Sequence, residues 1–182
     1  MTRLRAATPA DVPALTAIYN EGIAGREATF ETSPRTPDDI AGCLDEGLPF
    51  VVAEGAGGAV EGFARVSDYS DRCVYSGVGE HGVYVAGAAR GRGVGRTLLL
   101  ALCQAAERAG YYKLTSRIFT TNEASRAVHL AAGFEEVGIQ RRHGRLDGEW
   151  RDCVLVERLL DEAADRRMSS DTAIGSTSRH SS

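Results

Sequence analysis

An α/β fold, of the α+β kind, is predicted for this chain by three observations. Segments of two-residue and 3.6-residue periodicity alternate in the order β–α–α–β–β–β–α–β–α–β–β. Near the middle, a strand with Val83 and Val85 on one face runs into a glycine-rich turn and then an apolar helix. The chain has 182 residues, 43% of them hydrophobic and 25% charged, which suits one domain with a real core.

The elements follow in order. Thr2 to Ala6 is a short strand, and Thr8-Pro9 with Asp11 is a helix start: a cap, a proline at the first position and an acid in the first turn. Val12, Leu15, Ile18 and Tyr19 recur at helical spacing, so Ala10 to Ala24 is predicted helical, closed by Gly22 and Gly25. Thr29-Phe30-Glu31 is extended. Thr36-Pro37-Asp38-Asp39 opens a second helix to Glu46, with Ile40, Cys43 and Leu44 inward. Phe50 to Ala53 and Val60 to Asp68 are strands around a glycine-rich hairpin turn. After a polar loop, Val74 to Val85 is a strand region interrupted by Gly77 and Gly79. The central helix runs to about Arg108, burying Leu98, Leu99, Leu102, Cys103 and Ala106, and Gly110 stops it. Tyr112 to Phe119 is a strand, Asn122 caps a helix to about Ala132, and Gly133 ends that helix. Phe134 to Arg142 and Glu149 to Leu159 are strands around the turn Leu146-Asp147-Gly148. Residues 1–162 are expected to form the domain. Residues 163–182, rich in Arg, Ser, Thr and Asp without periodicity, are expected to be a disordered tail.

Composition bounds the function. A net charge of −4 argues against a general nucleic-acid binder, whereas the cluster Arg90, Arg92 and Arg96 in an acidic chain points to a small anionic ligand. The four cysteines match no metal or redox spacing and read as reduced thiols; no metal site is expected. No apolar run approaches the roughly 20 residues of a membrane span, and the N-terminus has no signal-peptide core, so the expected location is the cytoplasm.

The stretch Arg90, Gly91, Arg92, Gly93, Val94, Gly95 and Arg96 carries the first chemistry. At a helix start the first N–H groups lack partners and the dipole favours an anion, while glycines let the backbone approach a phosphate. No Lys follows the glycines as a Walker loop requires, and the third glycine of GxGxxG is missing. What fits is R-x-x-G-x-G at Arg90, Gly93 and Gly95. It resembles the pyrophosphate loop of the GCN5-related N-acetyltransferase (GNAT) superfamily, and the resemblance runs from about Thr2 to Leu160.

Within that superfamily several pieces resemble the phosphinothricin N-acetyltransferases. These are Tyr19-Asn20, Thr29-Phe30-Glu31, Pro34 to Pro37, Glu80 to Val85, the segment from Asn122 through Ser125 and His129 to Phe134, and Gly148 to Asp152. Tyr69 to Cys73 and Arg141 to Asp152 are most similar to the arsinothricin-resistance branch. Between the late Trp and Asp, where the family carries a histidine, this chain has Arg151. The resemblance implies a mixed, twisted sheet with helices on both faces and acetyl-CoA as cosubstrate. It also implies a small amino acid-like amine as acceptor (phosphinothricin, arsinothricin or methionine sulfoximine) and a homodimer.

It implies roles as well. Glu80 is the expected base, because an amine of pKa near 10 is only about one part in a thousand neutral at pH 7. A bulge near Gly79 is expected to turn Glu80 to the cleft; read from the residues alone, a solvated strand-edge glutamate is an equal alternative. Val83, Tyr84 and Val85 line the coenzyme arm, with a backbone N–H as oxyanion donor. Asn122 and Ser125 belong to the second coenzyme segment, Asn122 being an ordinary N-cap in either case. His129 stands where many relatives carry the acid for the leaving thiolate, although a packed helix histidine fits the same position. His81 is set aside, since alternation turns it away from Glu80. Phe30, Arg72 and Tyr75 are expected around the acceptor, Arg72 offering a forked donor set for a carboxylate or phosphinate, or else simply a surface arginine. A different amine, a polyamine or a protein N-terminus, and a non-catalytic acetyl-CoA-binding module remain as alternatives.

Overall fold

The computed structural model describes residues 2–160; the tail expected over residues 163–182 lies outside them. Seven strands form one sheet in the order β1-β2-β3-β4-β5-β7-β6. They are β1 (Arg3–Ala6), β2 (Phe50–Glu54), β3 (Val60–Asp68), β4 (Val78–Val85), β5 (Lys113–Phe119), β6 (Glu135–Leu146) and β7 (Glu149–Leu159). Every neighbour pair is antiparallel except β4 and β5, which run parallel. The helices are α1 (Val12–Ala24), α2 (Pro37–Asp45), α3 (Val94–Arg108) and α4 (Glu123–Ala131).

Two apolar layers sandwich the sheet. Alternation in β2 sends Val51 and Ala53 to the layer under α3, with Leu98, Leu99 and Leu102, and sends Phe50 and Val52 to the layer under α1 and α2, with Leu15, Ile18 and Ile40. Burial on both faces explains why that strand reads as a continuous apolar run. Among the described residues no helix is long and apolar enough to cross a membrane.

One feature of the ladder positions the site. The parallel pairing of β4 with β5 covers only Val78↔Lys113, Gly79↔Leu114 and Glu80↔Thr115. Beyond Glu80, β4 stays on β3 as far as Val85↔Gly62, while β5 stays on β7 as far as Phe119↔Cys153. Each strand follows its other neighbour, so the two separate and a wedge opens through the sheet. The bulge expected near Gly79 is absent, because β3 and β4 keep one register from Val85 to Gly79. Loss of pairing to β5, rather than an extra residue, exposes the cleft.

Other boundaries differ for local reasons. The first helix begins as a 3-10 turn over Pro9–Asp11 and becomes α-helical at Val12. Gly22 lies inside α1 and not at its end; a Cβ there would meet the Tyr84 ring at 2.8 Å, so the glycine admits the ring. Strand β6 runs on to Leu146 because Asp147 and Gly148, with φ of 49° and 84°, close a tight hairpin onto β7.

Candidate active site

The glycine turn is a built anion cradle. Gly93 caps α3 with φ of 80° and Gly91 has φ of 73°, a conformation that favours glycine, and nothing lies within 4 Å of where either Cβ would be. Thr97 is the first residue whose N–H reaches a helical carbonyl, that of Gly93, so the N–H groups of Val94, Gly95 and Arg96 are left for a ligand. This is a direct physical fit to a pyrophosphate. A cavity of about 450 Å³ runs from this cradle along β4, lined by Val83, Tyr84, Val85, Arg90, Gly91, Gly93, Val94, Gly95, Asn122 and Ser125. Of the residues expected to hold the coenzyme, Arg92 and Arg96 fall outside that lining. Arg92 pairs with Glu61 at 2.9 Å, and Arg96 donates to the carbonyl of Ala131 at the end of α4. Arg90 folds back to donate to the Val85 carbonyl at 3.2 Å.

A second cavity of about 570 Å³ fills the wedge and meets the first at Glu27, Ala28, Val83, Tyr84, Asn122 and Ser125. Glu80, Phe30 and His129 all line it, as expected, and so does His81, because the wedge passes through the sheet and exposes both faces of β4. Glu80 does not stand alone. Arg117, on the far side of the wedge in β5, donates from Nη1 to Glu80 Oε1 at 2.7 Å and from Nε to Gln140 at 3.1 Å. The guanidinium fixes one carboxylate oxygen and leaves Oε2 without a hydrogen-bond partner among the described residues.

The remaining walls are polar on one side and aromatic on the other. Glu31 is gripped by Arg35 at 2.7 and 2.8 Å, which holds its carboxyl below the usual carboxylate range against the opposing effect of burial. The Tyr19 hydroxyl donates to the same carboxylate at 3.1 Å, and burial pushes that phenol far above its ordinary pKa, so it remains a donor. Phe30 packs edge-on to Phe119 at 4.8 Å, in space that a Cβ at Gly144 would fill. Arg72 and Tyr75 are not brought into either cavity. They lie on the exposed 3-10 turn Cys73–Tyr75 before β4, with the guanidinium 5.8 Å from the Tyr75 ring. Their place at the acceptor was implied by the family resemblance, and within one chain they line neither cavity.

Where the two cavities meet, the start of α4 contributes Asn122 and Ser125 to the lining. Asn122 caps the helix by accepting from the Ser125 N–H at 3.0 Å, and its Nδ2 donates to the Glu27 carbonyl at 2.9 Å, strapping the loop after α1 across the opening. Both nitrogens of His129 are committed within the protein: Nδ1 lies 2.7 Å from the Ser125 carbonyl and Nε2 lies 3.1 Å from His81 Nε2. Both rings are buried, and burial lowers both pKa values, His81 to about 3, with the adjacent His129 depressing it further. Sequence reasoning missed Arg117 and the His81–His129 contact. Each joins residues dozens of positions apart, which periodicity does not reveal.

The arrangement joins an anion cradle, a strand with unpaired backbone and a second cavity holding a positioned carboxylate. That is what a two-substrate group transfer with a phosphate-bearing donor needs. Comparison with known proteins agrees. Residues 4–155 match the model of the acetyltransferase (GNAT) domain. A phosphinothricin N-acetyltransferase of Alcaligenes faecalis is 39% identical over 158 residues, covering 83% of this chain and 79% of that protein. An L-methionine sulfoximine/L-methionine sulfone acetyltransferase of Pseudomonas paraeruginosa is 33% identical over 162 residues, covering 87% and 94%. Among solved structures, a GNAT superfamily phosphinothricin acetyltransferase from Sinorhizobium meliloti in complex with AcCoA superposes with a TM-score of 0.83 at 32% identity, covering 90% of this chain and 91% of that one. With its cradle, its wedge and nearly its whole described length accounted for, this chain belongs to the GNAT acetyltransferase family.

Proposed function

We propose that this chain transfers the acetyl group of acetyl-CoA to the α-amine of a small amino acid-like substrate of the phosphinothricin, arsinothricin or methionine sulfoximine type, a detoxifying activity. The observation that carries this reading is the meeting of the two cavities at Val83 and Tyr84, with Glu80 on the acceptor side and the cradle on the other. Acetyl-CoA, when bound, supplies an acetyl carbon already activated toward amines. The cradle holds its pyrophosphate, and backbone groups of β4 beyond Glu80, which have no partner on β5, line its arm and stabilise the oxygen of the reacting carbonyl. Glu80 removes the amine proton directly or through one water. That step matters because only ~0.1% of an amine of ordinary pKa is neutral at pH 7. Attack is direct, with no covalent enzyme intermediate. The four cysteines do not supply a nucleophile: Cys103 and Cys153 are buried with raised pKa, and neither Cys43 nor Cys73 lines a cavity.

For the acid group of the acceptor, Arg65 is the guanidinium best placed. It lines the cavity; its Nη1 donates to Cys43 Sγ at 2.6 Å and its Nη2 reaches the exposed Glu46 at 3.3 Å, so its one carboxylate contact is looser than those that hold Arg35 and Arg117. The same reading makes the protein a cytoplasmic homodimer. Val137, Ile139 and Trp150, apolar and exposed on the β6–β7 hairpin, support a covered surface there. The experiment is a thiol-release assay with acetyl-CoA and a panel containing L-phosphinothricin, arsinothricin, L-methionine sulfoximine, a polyamine and a peptide with a free N-terminus. Turnover confined to the amino acid analogues is expected. Preference for the polyamine or peptide rejects the substrate class, and acetyl-CoA binding without any turnover rejects the enzyme.

A further inference from the structure

We propose that His81 is a positioning residue: it locks His129 in the Nδ1–H tautomer, so that the pair turns a fixed hydrogen toward Ser125 and orients that hydroxyl at the seam of the two cavities. The inference rests on the reading that acetyl transfer takes place at that seam.

Counting hydrogens gives the assignment. A neutral imidazole carries one N–H and one bare nitrogen. His129 Nδ1 lies 2.7 Å from the backbone carbonyl of Ser125, which only accepts, so Nδ1 carries the hydrogen and Nε2 is bare. His81 Nε2, 3.1 Å from that bare nitrogen, is therefore the donor. This leaves His81 Nδ1 as the bare atom of the second ring, and it is the buried nitrogen that has no hydrogen-bond partner among the described residues. The reverse tautomer would set two lone pairs against each other at 2.7 Å. A further proton on either ring is opposed by the burial of both. Phe134, with its centroid 4.8 Å from His81 and 5.3 Å from His129, packs against both rings and holds their planes.

The consequence falls on Ser125. Its Oγ lies 3.4 Å from the same His129 Nδ1, a second and weaker acceptor of the one hydrogen. Its backbone N–H is held by the Asn122 side chain at 3.0 Å. A hydroxyl that turns a lone pair toward His129 points its own hydrogen elsewhere, and Ser125 lines both cavities. Within the His129 pair no N–H is free to face the departing sulfur. The Ser125 hydroxyl is the donor that the pair aims there, by hydrogen bonding and without a transfer of protons through the rings. His81 contacts no reacting atom in this scheme and acts through His129.

The primary test needs no variant. Long-range 1H–15N spectra of the intact protein, labelled with 15N-histidine at pH 7.5, report which nitrogen of each ring carries hydrogen. The expected result is His129 protonated at Nδ1 only and His81 at Nε2 only. A hydrogen on His129 Nε2, or on both its nitrogens, overturns the proposal whether or not any amine is acetylated. Two substitutions add the functional arm. His81→Leu removes the donor and is expected to mix the His129 tautomers and lower kcat about tenfold, the equivalent of one lost hydrogen bond, with the Kd of acetyl-CoA unchanged. His81→Gln keeps an N–H donor and is expected to retain kcat within about threefold, the residue of an imperfect hydrogen bond. Wild-type kcat in His81→Leu, or equal losses in both variants, overturns the lock.

Discussion

Lowering the pH from 7.5 to 5.5 is expected to destabilise this protein through its buried imidazole pair. His81 and His129 are 4% and 2% exposed, and burial holds both below the ordinary value of 6.5, His81 at about 3. In the unfolded chain both titrate near 6.5. Below that pH the unfolded state takes up protons that the folded state refuses, so the stabilisation is complete above pH 6.5 and declines as the solution is acidified. For His81 the decline continues until its folded value near 3 is reached. One pH unit below 6.5, His81 alone accounts for about 1.4 kcal/mol, and His129, lowered by burial, acts in the same direction. For a domain of this size each kcal/mol corresponds to about 2–4 °C in Tm. Urea unfolding of the wild type and of His81→Gln at both pH values measures the difference directly. The substitution is expected to remove about 1.4 kcal/mol of the pH-dependent loss. Identical losses in the two proteins would show that His81 is not held neutral by the fold, and the reasoning on burial would fail.

Other outcomes follow from single contacts. Glu80→Gln keeps the shape and the Arg117 contact but not the base, and kcat is expected to fall by about 10²–10⁴, while the Kd of acetyl-CoA measured by calorimetry stays unchanged; equal losses in both would reject the assignment. Gly93→Ala places a side chain at φ of 80° in open space, so strain alone acts, at about 1–2 kcal/mol; calorimetry is expected to show weaker acetyl-CoA binding, because relaxation would move the cradle. Asn122→Ala removes the cap and the strap to Glu27 together, and thermal unfolding is expected to report a loss of about 0.5–2 kcal/mol from the cap.

Much of this site was legible along the chain because its signals are local. Positive-φ glycines before an apolar helix, an Asn before an amphipathic run, and the Thr36-Pro37 helix start each act within one turn, and the structure has all of them. Alternation also put His81 and Glu80 on opposite faces of β4. It could not show that β4 parts from β5 directly after Glu80, because that depends on which neighbour each strand follows. Hence both faces reach one cavity, and the residue set aside became the partner of His129. Arg117, 37 positions from Glu80, has no periodic signature that marks it. Arg72 and Tyr75, expected at the acceptor from the family resemblance alone, line neither cavity of the chain and lie at the exposed turn before β4.

The central claim is that one acceptor amine, held in the wedge, meets an acetyl group held along β4. It is tested most directly by a crystal structure of Glu80→Gln with acetyl-CoA and L-phosphinothricin bound together. The pyrophosphate is expected on the N–H groups of Val94 to Arg96, the acetyl carbon at the Val83–Tyr84 seam, and the amine within hydrogen-bond or one-water reach of residue 80. An amine bound elsewhere, with residue 80 facing bulk water, would contradict it.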